Sequence, residues 1–205
     1  DQKQGEKVKV TCTKSNEGFA TAGGVQYVAC AGNFKDAGLE YTGALKVLQM
    51  IFSYEYLWIQ IRVKGGAYGC MCSFSDQGDS MFVTYRDPNL SESYKVYDEA
   101  ADYVADFDAD DRDMKKYIIG TIGSMDMPME AVDMGARSFH AYFLGKTEAD
   151  LQKVRDQVLS CTQEDIRALA PIVKAVVEAG NRCCIGNEEK IDQNKEYFDE
   201  VKHVL

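Results

Sequence analysis

The stretch from Tyr54 to Ser75, YEYLWIQIRVKGGAYGCMCSFS, leaves the chain few ways to fold. Its first half places Leu57, Trp58 and Ile61 at helical spacing, with Arg62 at the polar end. Gly65 and Gly66 then permit backbone conformations closed to residues with a Cβ, which predicts a tight helix-to-strand turn. Past Tyr68, the residues Cys70, Cys72 and Phe74 alternate with Met71 and Ser73, the period of a strand with two different faces. Asp76 to Asp79, with Gly78, reads as a hairpin loop into a second strand from Ser80 to Arg86. A hairpin loop joins antiparallel neighbours, so a strictly alternating parallel α/β fold is excluded. Arg62 and Tyr68 stand six residues apart, one before the glycine turn and one after it. They can aim a fixed charge and a hydroxyl at one point, and neither hydrolyses anything unaided.

The remaining elements follow from the same signals. Lys7 to Thr13 alternates as a strand or ends a linker, and Asn16 to Gly24 reads as loop because of Gly18, Gly23 and Gly24. Val25 to Ala31 is apolar on both faces and is expected in the middle of a sheet. A broad helical stripe runs through Ala44, Leu45, Val47, Leu48, Ile51 and Phe52. Asp87, Pro88 and Asn89 end the second hairpin strand. Ser91 or Ser93 is expected to cap a helix with Tyr97, Ala100, Ala101 and Val104 inside and acidic residues outside. Further helices are expected behind Asp108 to Asp113, over Glu130 to Leu144, and after Thr147-x-x-Asp150 and Thr162-x-x-Asp165, whose spacing marks helix starts. Arg182 to Ile185 reads as a short closing strand, followed by a polar helix and an extended tail. The class is therefore α+β: two layers, a mostly antiparallel sheet covered on one face by helices. Residues 1–16 are expected to be a linker or leading strand from a longer chain, and 17–205 a single domain.

Composition narrows the function. The net charge of −10 argues against nucleic acid, whose phosphates need a basic surface. No apolar run is long enough to span a bilayer, so no membrane partner is expected. Seven cysteines do not form a disulfide framework, and they point to a reducing, cytoplasmic location. Cys70 and Cys72 share a strand face, but no second pair stands at zinc-ligand spacing, and His140 and His203 lie outside any paired motif. The cysteines are read as small buried hydrophobes. Tyr56 and Trp58 are assigned to the core, and Met125, Met127, Met129 and Met134 to filling gaps between two helices.

The strings SYEYLWIQIRVKGGAYGCMCSF and TYRDPNL (Thr84 to Leu90), with NEGFATAGGVQYVACAGNF, YTGALKVL and KKYIIGTIG, resemble the C-terminal half of the inverse zinc metallopeptidases of the pitrilysin and insulin-degrading clan. Within that clan they are most similar to the presequence protease group. The resemblance covers most of the chain from about Glu17 onward and is strongest from Tyr41 to Leu90. It implies the last of four related α+β domains in a peptidase that degrades peptides in a closed chamber. The zinc would belong to the full-length enzyme, held by a His-x-x-Glu-His helix in the N-terminal half; that string is absent here, and no zinc is expected on this stretch. The resemblance further implies that Arg62 and Tyr68 reach across the chamber to stabilise charge on the scissile carbonyl, with Gly65, Gly66 and Gly69 as supports. The expected partners are the N-terminal half and peptide substrates, and the isolated chain is expected to self-associate through a face normally covered. An inactive, peptide-holding scaffold of the same family is the alternative.

Overall fold

Alternating residues build a mixed six-stranded sheet. The computed structural model describes Val8 and residues 13–204. The strands are β1 (Glu17–Thr21), β2 (Tyr27–Asn33), β3 (Gly69–Phe74), β4 (Asp79–Tyr85), β5 (Asn181–Asn187) and β6 (Glu200–His203), in the spatial order β3-β4-β2-β5-β1-β6. The β3–β4, β4–β2 and β2–β5 pairs are antiparallel, and β1 lies parallel to both β5 and β6. The expected α+β class is found, and so is the central position expected of Val25 to Ala31, which falls on β2. The KVKVTCT option lies outside the described residues, apart from its Val8 and Thr13.

Two expectations near the sheet change. Residues 17–21, read as loop, form β1, because Gly18 and Ala20 pair with Cys184 and Gly186 of a strand more than 160 residues away. Glycine disfavours a strand locally, and partners on both sides overrule that weak preference. The strand expected to close the sheet, β5, lies inside it, and the extended tail supplies the edge strand β6.

One sheet face is covered. Val28, Cys30, Cys72, Phe74, Phe82, Thr84 and Cys184 turn toward α1 (Ala44–Tyr54), α2 (Ser91–Asp98) and α8 (Ala170–Glu178), with α3 (Ala100–Ala105) packed on α8. All six stripe residues of α1 are buried. Phe52 touches Phe74 and Phe82, and Phe82 packs on Tyr97, an aromatic core whose ring centroids lie 5.4–6.5 Å apart. Behind α1 stand α4 (Asp111–Met125) and α6 (Glu148–Leu159), then the short α7 (Gln163–Arg167). Thr147 and Thr162 form complete capping boxes with Asp150 and Asp165. Neither expected serine caps α2: Leu90 is its N-cap, and the Ser93 hydroxyl instead donates to Asp87 at 2.6 Å. The helix α5 (Ala131–Phe143) buries none of its residues, and Met127, Met129 and Met134 are exposed rather than gap-filling. The short α9 (Glu188–Gln193) leads into β6.

Candidate functional site

The first turn after α1 departs from the ordinary helix. Trp58–Lys64 is π-helical, and the Gly65 N–H reaches back five residues to the Gln60 carbonyl at 3.0 Å. A π-turn is rare, and its wider winding redirects side chains, which is why such turns gather at functional sites. Ile61 is held in the core while Trp58, assigned to the core from sequence, is 41% exposed. Its indole serves instead as a platform, with the Arg62 guanidinium carbon 4.6 Å from the ring centroid.

The glycines divide by role. Gly66 has φ 80°, a conformation costly for other residues. Gly65 is in ordinary helical geometry, but a Cβ there would meet the Ile61 carbonyl oxygen at 2.6 Å, so it is needed for close backbone packing. A Cβ at Gly69 would make only an ordinary contact, 3.8 Å from Tyr85, so sterically this position demands no glycine.

The turn brings Arg62 and Tyr68 together. The Arg62 guanidinium carbon lies 5.4 Å from the centre of the Tyr68 ring, and Tyr68 is 65% exposed. The Tyr68 N–H donates to the Tyr85 carbonyl at 3.1 Å, and the two rings meet edge-on at 5.8 Å. Tyr85 in turn packs edge-on against Tyr27 at 5.5 Å. Among the described residues no carboxylate pairs with Arg62. A charge and a phenol are thus held side by side in a shallow depression of ≈ 500 Å³, lined also by Val63, Gly66, Ala67 and Arg86.

A hydrogen-bonded frame fixes the depression from below. Asn89 Nδ2 donates to the Gly65 carbonyl at 2.6 Å, tying the end of the π-turn to the Asp87-Pro88-Asn89 segment. Asp87 is buried and accepts from the Asn89 N–H at 2.9 Å and from Ser93. Desolvation raises its pKa, and these hydrogen bonds partly oppose the rise. Buried Gln26 donates to the carbonyls of Asp87 and Pro88 at 3.1 and 3.2 Å and accepts from the Asn187 N–H. Asn89, read in the sequence as ending the hairpin strand, thus also ties that turn to the π-turn. Gln26 gave no signal in the sequence, because its partners come from both halves of the chain.

The family model of the PreP C-terminal domain matches residues 16–187. This chain belongs to the PreP C-terminal domain family. It is 43% identical over 192 residues to Protein HypA of Clostridium perfringens, covering 94% of this chain and 20% of that protein. It is 34% identical over 194 residues to the chloroplastic/mitochondrial Presequence protease 1 of Arabidopsis thaliana, covering 93% of this chain and 18% of that one. The chain thus spans about a fifth of the length of these curated relatives. In fold it is similar to a peptidase M16 inactive domain from Pseudomonas fluorescens, with a TM-score of 0.63 at 16% identity, over 85% of this chain and 44% of that one. It is also similar to a protease from Helicobacter pylori, with a TM-score of 0.58 at 14% identity, over 84% and 44%.

The described donors of this PreP C-terminal domain do not fit a zinc ion. Among the described residues no three His, Cys, Asp or Glu side chains converge. His140 is exposed on α5, and His203 faces Glu188 on the far edge of the sheet at 3.4 Å. Burial pushes the Cys30 and Cys70 thiols up to about 11 and those of Cys161 and Cys184 to about 12, and it pushes Cys72 up as well. Protonated thiols are poor ligands and poor nucleophiles, in keeping with the reading of these cysteines as small hydrophobes.

Proposed function

We propose that this chain is the C-terminal, non-zinc-binding part of a zinc metalloendopeptidase that degrades peptides in a closed chamber. In this reading it contributes one wall, contacts to the peptide, and charge stabilisation at the bond that is cut. The zinc ion, and the activation of water that it supplies, belong to the N-terminal half.

The observation that carries the reading is the Arg62–Tyr68 pair: a half-buried guanidinium and an exposed phenol, 5.4 Å apart by ring centroid, with no internal carboxylate partner among the described residues. A carbonyl oxygen gains negative charge as its carbon is attacked. A fixed cation and a hydroxyl donor lower the energy of that charged state more than that of the neutral peptide, which is the requirement for acceleration. The anchored turn supplies donors that need no reorganisation during the reaction. Beside them runs the uncovered sheet face, with Met71, Met81, Tyr85 and Ile185 exposed, an apolar bed for an extended peptide.

The test is hydrolysis of a quenched fluorescent peptide with zinc present, by this chain alone and then with the separately produced N-terminal half. Activity only in the mixture is expected. Tyr68→Phe should lower turnover roughly a hundred- to a thousandfold, about 3 kcal/mol of barrier, without moving the urea midpoint. Activity of the chain alone, or a Tyr68→Phe variant as fast as the parent, would sink the proposal. A mixture that binds peptide and never cuts it would favour the scaffold alternative.

A further inference from the structure

Arg86 stands at the same depression and is unexplained by the pair just described. It follows β4 with φ 50°, alone among the described non-glycine residues in having positive φ. Arginine seldom adopts this conformation, and it persists here because its neighbours hold the backbone from both sides. The Arg86 carbonyl accepts from the Tyr68 N–H at 3.3 Å, and Asp87 exchanges two backbone hydrogen bonds with Gln26 at 2.7 and 2.8 Å. The side chain is therefore directed outward from a fixed point. Its guanidinium carbon lies 5.5 Å from the centre of the Tyr85 ring. Its charge is permanent, as for any guanidinium, and the Tyr27 hydroxyl, with Tyr85 and Tyr68 beyond it, raises its pKa further.

The chain carries 33 acidic residues against 23 basic ones, yet among the described residues no carboxylate pairs with Arg86 or with Arg62. Each guanidinium rests on its own tyrosine, and the two tyrosines touch at 5.8 Å. These distances place the two cations at most about 17 Å apart, within the reach of about five residues of extended peptide at about 3.3 Å each. One cation beside one hydroxyl suffices for a carbonyl oxygen, which leaves the Arg86 donors that Tyr27 does not engage open to another acceptor. A planar guanidinium on an aromatic floor favours a carboxylate, which it can meet through two parallel hydrogen bonds.

We propose that Arg86 is a specificity-determining residue that receives a carboxylate of the substrate peptide within a few residues of the bond addressed by Arg62 and Tyr68. The carboxylate is either an acidic side chain or the peptide's own C-terminus. The assignment rests on the peptidase reading above.

The test uses the full-length protease and two matched pairs of fluorescent peptides, one with a C-terminal carboxylate or amide, the other amidated with an internal Glu or Gln. The charged member of one pair is expected to be favoured about five- to tenfold in kcat/KM, and the pair that responds identifies the source of the carboxylate. Arg86→Asn, whose side chain tolerates positive φ, should bring that ratio to about one. A ratio of one for both pairs in the parent, or an unchanged ratio in Arg86→Asn, overturns the assignment. The same ratios are read by fluorescence anisotropy on zinc-stripped protein, where no bond is cut. A parent that cuts no peptide therefore counts against the peptidase reading, while the anisotropy ratio still decides the role of Arg86.

Discussion

The two faces of the sheet are written by the same strands and meet opposite fates. Facing the helices, β4 places Ser80, Phe82 and Thr84, all buried; on the other side, one residue along each time, Met81 and Tyr85 are exposed and Val83 is half-buried. β2 repeats the pattern, with Val28 and Cys30 covered and Tyr27 exposed. An apolar residue on the covered face contributes to this domain's own stability. One on the open face contributes little until something covers it. Apolarity on both faces of β2 predicted a central strand, and it is central, but within this chain only one of its faces is buried.

The sharpest way to break this comparison is a pair of adjacent truncations. Phe82→Ala, in contact with Phe52, Phe74 and Tyr97, should cost about 3–5 kcal/mol and lower the urea midpoint steeply. Its neighbour Met81→Ala, 47% exposed, should stay within about 0.5 kcal/mol of the parent. Equal losses would mean that the open face is packed in the isolated domain after all.

A smaller effect concerns association. An uncovered apolar face should make the isolated chain self-associate, and Met81→Lys should weaken that association several-fold, about 1 kcal/mol, in sedimentation velocity. A parent that sediments as a clean monomer at high concentration would show that the open face is not sticky.

The least effect is expected from Asp87, the one fully buried acidic residue among those described. Its folded-state pKa is raised by desolvation, so the folded state holds the proton more tightly than the unfolded chain does. This ionised group therefore lowers stability above its folded pKa. The penalty is relieved as pH falls through that pKa toward the unfolded value, and Asp87→Asn should lack this component. From pH 7 downward, the urea midpoint of the parent should therefore rise relative to that of Asp87→Asn. A difference that is flat with pH would remove Asp87 as a titrating member of the covered face.

Much of this protein was legible from local pattern. The α1 stripe, the alternation of β3, the turn at Gly78 and the capping boxes at Thr147 and Thr162 depend on residues within one or two turns of each other, so spacing alone determines them. The proximity of Arg62 and Tyr68 was legible for the same reason, since only a short glycine turn separates them. Other features were decided by tertiary structure. β1 is a strand because β5 and β6 flank it, and Trp58 is exposed because the π-turn keeps Ile61 in the core. Arg86 joins Arg62 because β3 and β4 pair in register, and Gln26 locks that corner through Asp87, Pro88 and Asn187. These outcomes rest on hydrogen bonds and packing between segments tens to more than a hundred residues apart. Local preferences of about 1 kcal/mol or less are too weak to specify them in advance.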